Sequence, residues 1–260
     1  MKIPVKTAEE IEQLRKSAQL LVKAFQAVDE NIREGVTTKK IDQIVEKVIK
    51  NEGGSPAFKN YNGYPASICA SIDCEVVHGI PGNRKIEAGQ IVSIDIGVNL
   101  NGFFSDATKS YAIGDIDEDK QTLLETTKIS LYRGIKKCRA GNRLSDISHA
   151  IQAYVESKGF SVVRDLVGHG IGRNLHEPPQ IPNYGPPHQG PKLEAGMVFA
   201  IEPMVNTGDA AIEIMQDGWT VKTKDRKPSA HFEHTVLITN GSPEILTKGI
   251  EDIRMGDLNG

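Results

Sequence analysis

The chain has 260 residues, 38% of them hydrophobic and 25% charged, with a formal net charge of −3. That length can bury a sizeable core as one large domain or two small ones, and the mildly acidic balance, with no long basic run, gives no electrostatic case for nucleic acid or an anionic membrane. No apolar run reaches the ~18 residues of a membrane span, the N-terminus opens on a charged amphipathic pattern and not on a signal sequence, and Cys69, Cys74 and Cys138 are too few for a disulfide framework, so a reduced cytoplasm is expected.

Thr7 with Glu10 three residues on is a capping-box signature. Ile11, Leu14, Ala18, Leu21, Val22 and Phe25 then recur at helical spacing, which predicts a helix to about Arg33, stopped by Gly35. Thr37 or Thr38 caps a second helix, with Ile41, Ile44, Val45, Val48 and Ile49 as its apolar face up to Gly53-Gly54. A loop rich in Pro, Gly, Asn and aromatics follows, SPAFKNYNGYPAS, and loops of that kind are rarely mere connectors. Ile68–Ala70 and Glu75–His78 read as short strands, and Ile91–Val98 and Phe103–Ile113 as a hairpin around Asn101 and Gly102. Helices over about Glu118–Arg139 and Leu144–Lys158 come next, the latter begun by Asn142 or Ser145, and then strands with polar interruptions. The order helix, helix, strands thus occurs twice. It suggests one α+β domain over 1–250, built from halves of about 1–113 and 115–250, with a loose tail over 251–260.

The central hairpin carries the first chemical signal. Asp95 lies between Ile94 and Ile96, and Asp106 lies in the facing strand. A turn at Leu100-Asn101 would set the two directly opposite; a turn at Asn101-Gly102 would make them diagonal neighbours. Either register puts both carboxylates on one face, roughly 5–8 Å apart. Like charges at that distance repel and raise a pKa unless a cation lies between them.

The second half supplies matching ligand types. His169 is flanked by Gly168 and Gly170, Glu202 interrupts the apolar run MVFAIEPMV, and Glu233 heads the strand-like HFEHTVLIT. An ionised Glu in a buried strand is costly unless it is paired or metal-bound. Asp95, Asp106, His169, Glu202 and Glu233 together offer four carboxylates and one imidazole. Two divalent cations would balance that charge of about −4, and such a donor set suits Mn, Fe(II), Co or Zn in a carboxylate-bridged pair. The chemistry this implies is hydrolysis, with an adjacent carboxylate moving the proton of an activated water.

The motifs EVVHGIP, IDIGVNLNGFFSDAT, GHGIGRNLHEPPQIPNYG, FAIEPM and DGWTVKTKDRKPSAHFEHTV, with the five ligands in that order, resemble type I methionine aminopeptidases of bacterial style over residues 7–247. The resemblance implies a pseudo-two-fold pita-bread fold, a curved antiparallel sheet covered by helices with a dimetal site at its centre. It further implies that Asp95 chelates one metal, that His169 and Glu202 hold the other, and that Asp106 and Glu233 bridge both. Glu202 would be the acid/base carboxylate, and His78 and His176 would touch the substrate. Phe58, Tyr61, Tyr64, Cys69 and Trp219 would line the methionine pocket. Phe58, Asn62 and Leu175 stand where some members have cysteine, histidine and phenylalanine, which bears on pocket shape and not on the reaction. Asp73, with Ser229, matches the border of a monovalent-cation site, though it equally suits a plain turn aspartate.

The expected function is removal of the initiator methionine from nascent proteins and peptides with a small second residue, by a cytoplasmic monomer with no nucleic acid or membrane partner, and transient ribosome docking is left open. The chain begins at the first helix, leaving no room for a zinc-binding or basic extension, and no long insertion of the type II kind follows Asp106. Two alternatives remain: a non-catalytic binding module on the same fold, disfavoured because every ligand position is filled, and a dipeptidase or proline-specific peptidase, disfavoured by chain length.

Overall fold

The computed structural model of the protein describes residues 2–250, so the expected tail over 251–260 lies outside the described residues. Helix α1, Ala8–Asn31, is capped as its sequence specifies. The Thr7 hydroxyl accepts from Glu10 N–H, and the Glu10 carboxylate accepts from Thr7 N–H. Helix α2, Thr38–Asn51, starts with Thr37 as its cap. The apolar faces of both pack on the hairpin, where Leu21, Phe25, Ile41, Val45 and Ile49 meet Ile94, Ile96 and Val98 in one buried cluster.

Two boundaries differ from the sequence expectation. Helix α3, Glu118–Ile135, stops short of Arg139, because the chain from Lys136 turns away in tight turns. Helix α4, Leu144–Ser157, has Arg143 as its N-cap, neither Asn142 nor Ser145. The reason is that the Asp146 carboxylate accepts from Arg143 N–H at 2.8 Å, while Leu144 N–H donates to Pro191 O, so the chain enters the helix from an extended piece pinned to that neighbour. Helices α3 and α4 cover a second buried cluster that includes Leu123, Ile147, Ile151, Phe199 and Val236.

All the sheet ladders are antiparallel. The hairpin strands are Ile91–Leu100 and Phe103–Ala112. They are joined by Asn101 and Gly102 at φ of 55° and 80°, the left-handed pair that a two-residue turn matched to strand twist requires. The register sets Asp95 against Thr108 and Gly97 against Asp106. The Asn101-Gly102 alternative is therefore the one adopted, and the two aspartates are diagonal neighbours on one face. Ile68–Ile72 pairs on the other side of the first hairpin strand, with Cys69 opposite Asp95. In the second half, Val198–Ile201 lies between Gly168–Gly170 and His234–Leu237.

The halves meet along Phe103–Ala112. Glu233 N–H donates to Thr108 O at 2.9 Å, the Ser110 hydroxyl to His231 O at 2.7 Å, and the Thr235 hydroxyl to Asp106 O at 2.8 Å while accepting from Asp106 N–H at 3.0 Å. No helix among the described residues is long and apolar enough to cross a membrane.

Thr235→Val keeps the shape but leaves the Asp106 N–H buried without a partner, which should cost about 1–3 kcal/mol. Denaturant unfolding of Thr235→Val beside Thr235→Ser, which keeps the hydroxyl, checks this: only the valine should lower stability.

Candidate active site

Every residue expected to hold the divalent metals or to touch the substrate lines one cavity of about 200 Å³: Asp95, Asp106, His169, Glu202 and Glu233, with His78 and His176, and with Phe58, Tyr61, Tyr64, Cys69 and Trp219. Asn62 and Leu175 line it as well. Four separate pieces of chain supply the five candidate ligands. The hairpin gives both aspartates, the His169 strand pairs with Val198–Ile201 so that Glu202 emerges just past it, and Glu233 sits at the break between Ser229–His231 and His234–Leu237. His169 requires glycine on both sides, since a Cβ at Gly168 would stand 2.5 Å from Ala200 O and one at Gly170 2.3 Å from Pro178 O.

Ligand atoms of Asp106, His169 and Glu233 lie within 4.8 Å of one another, and all three residues are buried. Glu202 Oε1 is 3.6 Å from His169 Nε2. His169 Nδ1 lies 2.9 Å from Gly170 O, an atom that can only accept, so Nδ1 carries the proton and Nε2 offers its lone pair to the cavity. Thr108 donates to Glu233 Oε2 at 2.9 Å. Asp95 Oδ1, Asp106 Oδ1 and Glu233 Oε1 are buried with no hydrogen-bond partner. No lysine or arginine lines the cavity.

The electrostatics follow from that composition. Burial, followed by repulsion from Glu233, Asp95 and Glu202, pushes Asp106 well above the usual carboxylate range. Burial and neighbouring carboxylates likewise raise Glu202 and Glu233, and burial lifts Asp95 to about 6. Burial lowers His169 to about 3 and His78 to about 4, holding both neutral. Orphaned carboxylate oxygens facing a neutral imidazole lone pair form a donor set that fits divalent cations.

Aromatic and thiol side chains complete the lining. Tyr64 and Trp219 pack edge to face at 5.1 Å, the Tyr64 hydroxyl lies 3.0 Å from both Ile68 O and Gly79 O, and burial keeps the Cys69 thiol protonated. His176 is at the exposed mouth, its Nδ1 2.8 Å from the Tyr61 hydroxyl and its ring 4.3 Å from that of His169. Asp73 and Ser229 lie outside this cavity. The Asp73 carboxylate accepts from Lys120 Nζ at 2.8 Å and its main-chain oxygen from Ser229 N–H.

One site neighbour was missed from sequence. His231 is buried, with Nε2 3.6 Å from Glu202 Oε2 and no hydrogen-bond partner of its own. Alternation was the available signal, since His231 and Glu233 are two residues apart in an extended stretch and so share a face.

Comparison with known proteins agrees with this geometry. The sequence profile of metallopeptidase family M24 matches residues 12–240. The chain belongs to that family. It is 50% identical to methionine aminopeptidase 1 of Bacillus subtilis (strain 168), over 94% of this chain and 98% of that protein. It is 42% identical to the methionine aminopeptidase of Escherichia coli (strain K12), over 97% and 96%. The crystal structure of methionine aminopeptidase from Thermotoga maritima superposes with a TM-score of 0.93 at 46% identity, covering 95% of this chain and all of that one. Prolidase from Pyrococcus furiosus superposes at 0.77 with 26% identity, and this chain covers 65% of its length. The fold is thus the α+β pita-bread fold that the sequence motifs implied, and the chain is a metal-dependent aminopeptidase.

The carboxylate cluster sets a sign for pH dependence. Above about pH 7.5 the histidines are largely neutral in the folded and unfolded chain alike, while the carboxylates raised in the folded, metal-free site retain protons that the unfolded chain has lost. Metal-free stability should therefore fall as pH rises from about 7.5 to 8.5, by roughly 1.4 kcal/mol for each proton retained. Calorimetric melts with and without Mn(II) test this. Metal should raise the melting temperature more at the higher pH, whereas metal-free stability that climbs over the same range would mean the carboxylates are ionised without a cation.

Proposed function

We propose that this protein removes the N-terminal methionine from nascent proteins and peptides whose second residue is small and uncharged. The supporting observation is the lining of one cavity, which combines a cation-demanding carboxylate and imidazole cluster with aromatic and thiol side chains. Aromatic faces and a protonated thiol suit a thioether side chain.

In this reading Asp95, Asp106, His169, Glu202 and Glu233 would hold two divalent ions; Co, Mn, Fe(II) and Zn all suit the donors. Ions bound there supply Lewis-acid polarisation of the scissile carbonyl and lower the pKa of water. Glu202, beside the metal positions, would take a proton from the attacking water and return it to the leaving amine. His176 Nδ1 lies 2.8 Å from the Tyr61 hydroxyl, and in the tautomer in which that hydroxyl donates, the His176 Nε2 proton would be free to donate to the scissile amide. His78, held neutral, steadies the substrate backbone or the tetrahedral species. Any monovalent cation near Asp73 and Ser229 would rely on main-chain oxygens, since the Asp73 carboxylate already meets Lys120.

The working unit in this reading is a cytoplasmic monomer, one catalytic domain over 1–250 formed of two pseudo-symmetric halves. Transient ribosome docking is compatible with a groove between α3 and α4 lined by Arg133, Lys136, Lys137, Arg139 and Lys248 against Asp146.

The test is methionine release from Met-Ala and Met-Gly-Met peptides, with an Xaa-Pro peptide alongside, by the metal-stripped protein before and after adding Co(II), Mn(II) or Fe(II). Release should appear only with metal, and Asp106→Ala and Glu202→Ala should each lower kcat by about 10²–10⁴-fold. Cleavage of the Xaa-Pro peptide alone would replace this reading with a proline-specific one.

A further inference from the structure

Away from the acidic cluster, one buried charge pair has no part in the chemistry described so far. Lys6 Nζ meets Glu177 Oε2 with both side chains shielded, 5% and 7% exposed. Lys6 belongs to the extended strap before α1, and its N–H donates to Gly196 O at 2.8 Å. Its ammonium crosses directly over Gly172, where an added Cβ would lie 2.2 Å from Nζ. Glu177 is 171 residues away in sequence, next to His176.

The other Glu177 oxygen closes a turn. Oε1 accepts from Arg173 N–H at 2.8 Å and from Asn174 N–H at 3.1 Å. One carboxylate therefore fixes two main-chain amides of the segment from Gly172 to Glu177, while Lys6 fixes the carboxylate. That segment delivers Leu175 and His176 to the cavity. A buried ion pair adds little net stability over an apolar pair, because desolvation offsets the attraction, but loss of one partner leaves an uncompensated charge. An apolar contact could hold the strap equally well. Such a contact would leave the buried Glu177 carboxylate uncompensated and its Oε2 without the donor that Lys6 supplies.

We infer that Lys6 and Glu177 are positioning residues, an ion pair that links the N-terminal strap to the Gly172–Glu177 turn and thereby sets where His176 stands over the substrate. The inference rests on the proposal that His176 contacts the substrate. Neither residue touches the reacting atoms. Arg173 and Asn174 are exposed, so protection of their amides depends on Glu177, which gives a local readout independent of turnover.

The experiment compares wild type, Lys6→Met, Lys6→Arg and Glu177→Gln as full-length, metal-loaded proteins. It measures amide hydrogen exchange at Arg173 and Asn174, thermal unfolding, and kcat and KM on a Met-Ala peptide. Lys6→Met should speed exchange at both amides by about tenfold or more, and lower kcat/KM by about 10–100-fold while most of the protein remains folded. Lys6→Arg should recover much of both. If Lys6→Met does not fold, Glu177→Gln carries the same two readouts. Unchanged exchange and kinetics in the folded variants would overturn the inference, as would a loss of activity that merely tracks the folded fraction. Wild type without activity on the peptide would instead overturn the methionine reading, and the exchange data would still decide whether the pair holds the turn.

Discussion

The structure depends on one electrostatic constraint: four carboxylates face a single cavity with no lysine or arginine among the residues lining it. Burying even one such charge costs several kcal/mol, and mutual repulsion adds to the cost. Without a cation the chain can hold the cluster only by keeping protons on it, and those are the protons a metal must displace. The raised proton affinities of Asp106, Glu202 and Glu233 express this state, whereas the lowered basicity of His169 comes from burial and from the neighbouring His176. The carboxylates describe a site arranged around positive charge that the residues lining it do not supply.

The cluster tolerates that arrangement because the backbone around it is over-determined. The strand carrying Asp106 is bonded to the first half through the hairpin ladder and to the second through Thr108, Ser110 and Thr235. The charges sit where the two halves are stitched, so separating them would break backbone bonds on both sides. Hydroxyls take up some of the polar atoms around the cluster. Ser93 and Ser110 lie 2.7 Å apart, and Thr108 serves Glu233. This makes the strain of like charges local and leaves the two apolar clusters to carry the fold.

How much could be read beforehand follows from the range of each interaction. Asp95 and Asp106 were legible because a two-residue turn fixes parity, and either register put them on one face. His169, Glu202 and Glu233 were legible as polar residues in runs that are otherwise glycine-rich or apolar. Thr7 and Thr37 were legible as caps because capping is local. The cap of α4 was not, since Arg143 has no capping side chain and is placed by a strand contact with Lys192. Lys6 and Glu177 left no sequence signal, because pairing across 171 residues is decided by tertiary packing. His231 lay between these cases, visible to alternation but overshadowed by Glu233. Assignment of the pocket residues came from family motifs, as nothing in the spacing of Phe58, Cys69 and Trp219 brings them together.

The sheet also explains why carboxylates and a thiol line the same cavity. Cys69 pairs with Asp95, Asp95 with Thr108, and Thr108 with Glu233, so one row of in-register residues runs across four strand segments. Residues in register across neighbouring strands share a face and sit about 5 Å apart. The thiol that borders the apolar pocket is thus one strand from a proposed metal ligand, and a hydroxyl ties the next ligand to the same row. Strand spacing, set by backbone hydrogen bonding and independent of side-chain identity, fixes the offset between a bound side chain and the place where its own amide would be cut. An enzyme that removes a single N-terminal residue needs a short and constant offset of that kind, and a pleated row supplies it without any loop having to close.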